Sequence, residues 1–249
     1  MPTIFSKLSG PFDWRGDIFT RCKALVGVTC LLYLPVVRSL PAPHPDRQGG
    51  GGVALRIWNL LFLVFNTVGT LKTLPELTRL TSVCDDSWLT TTAGRWVYYF
   101  NLSKLVELWD VLLLPTRAPA HHLYHHLLTL LYVFHSSVVV NHTGIWSATV
   151  NYLAHSLMYL HLTLKGAGYR SPLRAGVIVS QLVEMVIGFV VQLMTLRCGS
   201  HSRTNTWLAL FMYASYFLMF AWHSRSWWAR AQVAGEREES HASQASRDE

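Results

Sequence analysis

Charged side chains are scarce in this chain of 249 residues, of which only 14% are Asp, Glu, Lys or Arg. Soluble domains carry about 25%, so the composition argues against an ordinary soluble domain. Hydrophobic residues make up 51% of the chain, and several apolar runs are long enough to cross a bilayer core of about 30 Å. These features predict an integral membrane protein in contact with lipid.

A cluster of basic residues is also lacking, although the formal net charge is +7. Proteins that bind nucleic acid concentrate Lys and Arg on one face, whereas here these residues lie mostly between the apolar runs, where membrane proteins place them. A nucleic-acid partner is therefore not expected. Charged residues such as Lys7 and Asp13 interrupt the N-terminal stretch, so no cleavable signal peptide is expected either.

Seven apolar segments predict an all-α membrane protein with seven transmembrane helices. Breakers rich in Pro, Gly and Asp separate the segments, which cover residues 21–39, 53–73, 95–115, 122–140, 144–164, 172–196 and 206–224. They define one helical domain over residues 1–230. The polar tail over residues 231–249 is expected to be disordered.

Seven spans place the two termini on opposite sides of the membrane. The distribution of Lys and Arg favours a lumenal N-terminus and a cytosolic C-terminus. In this orientation Cys84 and Cys198 lie in two lumenal loops, where they either form a disulfide or remain free thiols. The glycosylation sequon at Asn141 lies in a lumenal turn close to the membrane, so poor modification is expected.

Ionisable residues inside membrane segments are costly and usually functional. The third segment carries Lys104, Glu107 and Asp110 at a spacing of three residues, which places them on one broad helix face. Lys104 and Glu107 either belong to an active site or form an ion pair that only sets helix packing.

Four histidines open the fourth segment. His122, His125 and His126 form one stripe on a helix, whereas His121 points elsewhere. Such a stripe could bind a metal ion, or it could supply a nucleophile and a proton carrier. Structural packing alone does not account for three histidines on one face.

The fifth and sixth segments add the polar or semi-polar positions Asn151, His155, Met158, Tyr159, Gln181 and Glu184. Asn151 lies one turn before His155, where an amide either fixes the tautomer of the imidazole or holds two helices together. Glu184 requires a proton, a cation or a positive partner. In the orientation given above, all four polar clusters lie at comparable depth in the cytosolic half, which predicts a polar chamber with an apolar tunnel beyond it.

Three motifs in order resemble those of the very-long-chain fatty-acid elongase (ELO) family. They read Lys104-x-x-Glu107-x-x-Asp110, His122-x-x-His125-His126 and Asn151-x-x-x-His155-x-x-Met158-Tyr159. The chain departs from the family pattern at Val111, where Thr is usual, at His161, where Tyr is usual, and at Glu184, where Gln is common. These departures leave the preferred acyl chain length open.

The resemblance implies an endoplasmic reticulum protein whose helices two to seven surround an acyl tunnel. It implies condensation of acyl-CoA with malonyl-CoA to give 3-ketoacyl-CoA, CO2 and CoA, through an acyl-imidazole and with no cofactor or metal. It also implies association with the ketoacyl reductase, dehydratase and enoyl reductase of the elongation cycle, and it leaves a homodimer open.

By its match to the family motif, His125 is the expected nucleophile, and His155 is expected to assist it. His122 and His126 would set tautomers or stabilise an oxyanion. Lys104 would stabilise anionic charge, oriented by Glu107 and Asp110. The expected substrate contacts are Met158, Tyr159, Gln181, Glu184, Arg170 and Arg174, although the two arginines also suit simple positive-inside anchoring.

Two other functions fit parts of the pattern. A membrane di-iron desaturase or hydroxylase also uses histidine motifs, but such enzymes carry several of them and this chain has one. A seven-helix transporter or receptor fits the hydropathy, but it does not account for a histidine stripe beside a helix rich in carboxylates.

Overall fold

The computed structural model describes residues 23–39, 52–114, 118–139, 141–169, 172–199 and 202–245. These ranges contain seven α-helices and two short 3-10 helices, and no strand lies within them. The α-helices are α1 (Lys23–Ser39), α2 (Val53–Leu77), α3 (Thr92–Glu107), α4 (Ala120–Val138), α5 (Gly144–Gly166), α6 (Arg174–Thr195) and α7 (Arg203–Ala245). The all-α prediction is confirmed, and each helix falls on one predicted segment.

Two of the described helices, α2 and α6, are long and apolar enough to cross a membrane by length and composition alone. The distribution of side chains points the same way, because large apolar residues such as Leu31, Phe211 and Leu218 are more than 60% exposed. A few charged residues lie inside, among them Lys104 and Glu107, which are each 3% exposed. An apolar exterior around a charged interior is typical of proteins surrounded by lipid.

Helix α5 packs against α2, α3 and α6, and α7 packs against α4 and α6. Gly69 lets α2 approach α5 closely, because a Cβ atom there would lie 2.5 Å from the ring of Tyr152. The buried hydroxyl of Tyr152 donates a hydrogen bond of 2.8 Å to the carbonyl oxygen of Trp96 on α3. Small residues at helix crossings and interhelical hydrogen bonds are the usual means of packing helices in lipid.

Three connections are tied together at one end of the bundle. Cys84, which follows α2, and Cys198, which follows α6, form a disulfide with their Cα atoms 5.7 Å apart. Trp88 lies in the 3-10 helix Ser87–Thr90, and its Nε1 donates a hydrogen bond of 2.8 Å to the carbonyl oxygen of His142 between α4 and α5. The sequon residue Asn141 is buried here, and its Oδ1 accepts from the backbone nitrogen and the hydroxyl of Thr143.

The last helix extends as far as Ala245, so it enters the stretch 231–249 for which disorder was predicted, and that disorder stays a prediction. Ala, Glu, Gln and Arg dominate this stretch and have high helix propensity. A polar composition therefore does not by itself prevent an extension of a helix that is already nucleated.

Removing the disulfide should destabilise the protein. We expect the double variant Cys84→Ala/Cys198→Ala to lose about 2–4 kcal/mol, because the bond closes a loop with a sequence separation of 114 residues. Thermal unfolding in detergent, followed by circular dichroism, measures the change. Cys30→Ala, at the buried free cysteine of α1, is the matched control, and an unchanged melting temperature in the double variant would contradict the expectation.

Candidate active site

A cavity of about 210 Å³ brings together most of the predicted site residues. Its lining residues come from α4, α5, α6, α7 and the end of α3 with the following 3-10 helix: Glu107, Asp110, His121, His122, His125, His126, His155, Met158, Tyr159, Gln181, Glu184, Met185, Tyr216, Met219 and Phe220. Lys104 and Asn151 lie directly behind this wall and contact it, as described below. Arg174 is exposed and does not line the cavity, and Arg170 lies outside the described residues.

The buried ion pair of α3 forms the base of the site. Lys104 Nζ lies 2.8 Å from Glu107 Oε1 and 3.1 Å from Oε2, and the hydroxyl of Ser103 donates to Oε1 at 3.0 Å. Opposite charges one helical turn apart can meet in this way without leaving the helix. Because each charge has a close partner, the cost of burying the pair is offset.

The amide of Asn151 connects three helices. Its Oδ1 accepts from Lys104 Nζ at 3.4 Å, and its Nδ2 donates to Glu184 Oε1 at 2.6 Å. Nδ2 also lies 3.2 Å from His155 Nε2. A side-chain amide carries two hydrogens, so Asn151 can donate to both acceptors, which leaves the proton of a neutral His155 on Nδ1.

His155 Nδ1 is buried, and it has no hydrogen-bond partner within the part of the chain that the structure describes. Buried polar atoms are nearly always paired in folded proteins. A buried donor at the wall of a cavity is therefore placed to donate a hydrogen bond to an oxygen atom of a bound molecule. Glu184 Oε2 is also buried without a hydrogen-bond partner among the described residues, and as a carboxylate oxygen it is placed to accept a hydrogen bond from a bound molecule.

Asp110 holds two of the histidines. The helix changes from α to 3-10 after Glu107, and Asp110 on the 3-10 helix Leu108–Leu112 faces α4. Its Oδ1 lies 3.2 Å from His122 Nε2 and its Oδ2 lies 3.2 Å from His126 Nε2, while the two imidazole nitrogens are 3.1 Å apart. These three side chains could also hold a divalent metal ion, because their ligand atoms all lie within 4.8 Å of one another.

His125 shares no hydrogen bond with this group, although its ring meets that of His126 edge-on with centroids 5.5 Å apart. Its ring packs against that of Tyr216, with centroids 4.9 Å apart, and its side chain forms no hydrogen bond among the described residues. The backbone carbonyl of His125 accepts a hydrogen bond of 2.9 Å from the Tyr216 hydroxyl, which is also 2.8 Å from Thr129 Oγ1. The backbone of His125 is thus held by α7 while its imidazole nitrogens stay uncommitted.

Two residues of the site differ from their expected placement. His121 lines the cavity and packs on the ring of His223 at 4.1 Å, where the helical stripe had placed it elsewhere. Tyr216 was not expected as a site residue, yet it lines the cavity beside His125. Met158 and Gln181 meet on the cavity wall, where Gln181 Nε2 donates to Met158 Sδ at 3.2 Å.

Comparison with known proteins gives one family. The model of the GNS1/SUR4 family (ELO) matches residues 22–229. Fatty acid elongase 1 of Trypanosoma cruzi is 33% identical over 208 residues, covering 73% of this chain and 72% of that protein. Fatty acid elongase 1 of Trypanosoma brucei brucei is 34% identical over 215 residues, covering 75% and 70%.

A vertebrate protein shows similar likeness. Very long chain fatty acid elongase 6 of Gallus gallus is 32% identical over 185 residues, which cover 67% of this chain and 69% of that protein. The region matched by the family model, residues 22–229, contains α1 to α6 completely and α7 from Arg203 to Ala229. On the strength of the family match and of these relatives, the chain belongs to the GNS1/SUR4 (ELO) family.

Proposed function

We propose that the protein is the condensing enzyme of fatty-acid elongation, which joins an acyl-CoA to malonyl-CoA and releases 3-ketoacyl-CoA, CO2 and CoA. The observation that carries this proposal is the position of His125 and His155 on one cavity, with an uncommitted imidazole on the first and an unpaired buried nitrogen on the second. The relatives, which are named as fatty acid elongases, support the same chemistry.

The reaction proceeds by acyl transfer to His125. A ring nitrogen of the neutral imidazole attacks the thioester carbonyl, the carbon–sulfur bond breaks, and CoA leaves with a proton. Malonyl-CoA then loses CO2, and the resulting enolate carbon attacks the acyl-imidazole. The bond between carbon and nitrogen breaks, the leaving nitrogen takes up a proton, and neutral His125 is regenerated. The enclosed cavity protects the acyl-imidazole from hydrolysis.

The neighbouring residues serve this transfer. His155 Nδ1 is placed to donate to the carbonyl oxygen as negative charge develops there, and Asn151 holds the tautomer that this donation requires. Asp110 orients His122 and His126, which can carry the proton that CoA takes. Lys104 and Glu107 supply the fixed charges against which Asn151 is positioned.

The path for the acyl tail continues through two smaller cavities, of about 40 and 30 Å³. Consecutive cavities share walls: the first two share His125, Glu184, Met185 and Tyr216, and the last two share Phe100, Tyr132, Val133 and Ser147. On α4, the lining residues follow one helical stripe: His122, His125, Thr129, Tyr132, Val133 and Ser136. We assign the apolar tail to this series, whose lining residues come mainly from α3 to α7 and the two 3-10 helices; α2, which was expected to help surround the tunnel, contributes none of them.

The proposed membrane placement has seven spans in the endoplasmic reticulum, with a lumenal N-terminus and a cytosolic C-terminus. Support comes from the Cys84–Cys198 disulfide, since disulfides form in oxidising compartments. The mouth of the site then faces the cytosol, together with Arg174 and the neighbouring Arg170, which are proposed to meet CoA phosphates.

The ketoacyl reductase, the dehydratase and the enoyl reductase of the cycle are the proposed partners, and a homodimer is compatible with this arrangement.

Replacement of the proposed nucleophile should abolish turnover. We expect His125→Ala to lower the rate of labelled 3-ketoacyl-CoA formation at least roughly 10³-fold, the scale seen when a covalent nucleophile is removed. The purified protein is assayed with acyl-CoA and radiolabelled malonyl-CoA, without reductant. His135→Ala, on the same helix but outside the cavity, should retain activity, and near-normal turnover by His125→Ala would disprove the assignment.

Removal of metal should not affect condensation. Asp110, His122 and His126 resemble a metal site, and a di-iron oxidase would depend on such a site, whereas acyl transfer to an imidazole needs none. We expect the enzyme dialysed against EDTA to keep its condensing activity. Loss of activity that is restored by added iron or zinc would instead favour the metal-dependent alternative.

A further inference from the structure

Glu184 on α6 is a buried carboxylate that takes part in no step of the proposed condensation. Its side chain is held from one side, because Oε1 accepts a hydrogen bond of 2.6 Å from Asn151 Nδ2. Oε2 is buried too, and it has no hydrogen-bond partner in the described ranges of the chain. The residue is 5% exposed and lines the cavity of about 210 Å³. One oxygen of an oriented carboxylate is therefore available to a molecule in that cavity.

This carboxylate shares its surroundings with the proposed nucleophile. Glu184 and His125 line both the cavity of about 210 Å³ and the adjoining cavity of about 40 Å³. His155, whose Nδ1 is placed to donate to the acyl oxygen, lines the larger cavity as well. An acyl group on His125 is thus bordered by a donor for its carbonyl oxygen and by a carboxylate that can take a proton.

The contents of the larger cavity change during the proposed reaction. A transfer in two steps contains an interval in which CoA has left and malonyl-CoA has not yet bound. The lining is polar, with Asp110, His122 and His126 among its residues, and polar cavities take up water whereas truly empty ones are apolar. Each water molecule occupies about 30 Å³ in the liquid, so several fit. The protection that enclosure gives to the acyl-imidazole therefore depends on a cavity filled by substrate.

Resting on the function proposed above, we propose that the protein is also an acyl-CoA thioesterase, in which Glu184 is the general base that hydrolyses the acyl group from His125 when malonyl-CoA is absent. Glu184 Oε2 takes a proton from a water molecule as the water oxygen attacks the acyl carbon. The bond between that carbon and the imidazole nitrogen breaks, and the nitrogen takes up the proton from Glu184. A fatty acid and neutral His125 result, so the net reaction converts acyl-CoA and water to fatty acid and CoA.

Incubation with acyl-CoA alone is the first test. The purified protein receives each member of a panel of saturated acyl-CoAs without malonyl-CoA, and free CoA and fatty acid are measured against time. We expect a burst of CoA from acylation of His125, followed by steady release of CoA and fatty acid in equal amounts. In water enriched in the heavy oxygen isotope, the fatty acid should carry one labelled oxygen, because the attacking atom comes from water.

The outcomes of this test separate the two proposals. An enzyme that condenses acyl-CoA with malonyl-CoA but forms no fatty acid from acyl-CoA alone would overturn the thioesterase and leave the proposed function intact. An enzyme that gives neither a burst of CoA nor a condensation product would overturn the proposed function instead.

Glu184→Gln distinguishes a base from a structural contact. Glutamine, which is common at this position in the family, keeps an oxygen that can accept from Asn151 but cannot take a proton from water. We compare the rate of fatty acid formation from acyl-CoA alone with the rate of condensation at saturating malonyl-CoA. The ratio should fall roughly 10²-fold or more, the usual contribution of a general base. A purely structural residue would change both rates together, so an unchanged ratio would overturn the role of Glu184.

Two further variants serve as controls. Glu76→Gln is the matched one, since Glu76 is a carboxylate of α2 that pairs with Arg79 at 3.5 Å and lines neither of the cavities that border His125. This variant should keep the ratio of the wild type. His125→Ala should lose hydrolysis together with condensation, because both pass through the acyl-imidazole. Fatty acid formation that persists in His125→Ala would overturn the proposal.

Competition by malonyl-CoA provides a measurement that needs no substitution. Malonyl-CoA fills the cavity and captures the acyl group, so the rate of fatty acid formation should fall as its concentration rises, while the rate of 3-ketoacyl-CoA formation increases. Fatty acid formed at the same rate in saturating malonyl-CoA would show that hydrolysis does not draw on the shared acyl-imidazole, and the proposal would be overturned.

Discussion

The buried pair of Lys104 and Glu107 is the interaction on which the rest of the site depends. Two opposite charges in the interior are tolerated only because they meet at 2.8 Å and because Ser103 and Asn151 complete their hydrogen bonds. Asn151 connects this pair to Glu184 and His155, so the packing of α3 against α5 and α6 is coupled to the pairing of Lys104 with Glu107. These contacts are compatible with both alternatives, a pair that belongs to an active site and a pair that sets helix packing, because the pair supports the residues that line the cavity.

Lipid does not drive apolar helices together as water does, so close approach and polar contacts have to hold this bundle. Gly69 against Tyr152 and Gly188 against Tyr213 permit the close approach, since a Cβ atom at either glycine would overlap the facing ring. Hydrogen bonds of Tyr152 and Tyr213 then join α5 to α3 and α7. Each tyrosine thus combines apolar packing with one polar contact between helices.

The helices and the meeting of the polar clusters were predictable, because periodicity places His122, His125 and His126 on one stripe and comparable depth brings four segments together. The turn to a 3-10 helix at Leu108 was not predictable, and it is this turn that directs Asp110 at both His122 and His126. The hydroxyl of Tyr216 on the His125 carbonyl likewise depends on how α7 is rotated against α4. Such details follow from tertiary packing, to which a one-dimensional pattern is insensitive.

The disulfide and the hydrogen bond that join three connections at one end of the bundle have a consequence for the proposed reaction. The disulfide and the Trp88–His142 bond cross-link that end. Under the proposed reaction, CoA leaves and malonyl-CoA enters at the opposite end. A two-step transfer needs an acyl group that keeps its register while its partner is exchanged. Under the proposed reaction, a bundle that is cross-linked at one end can hold the acyl tail in place there while the CoA at the other end is exchanged.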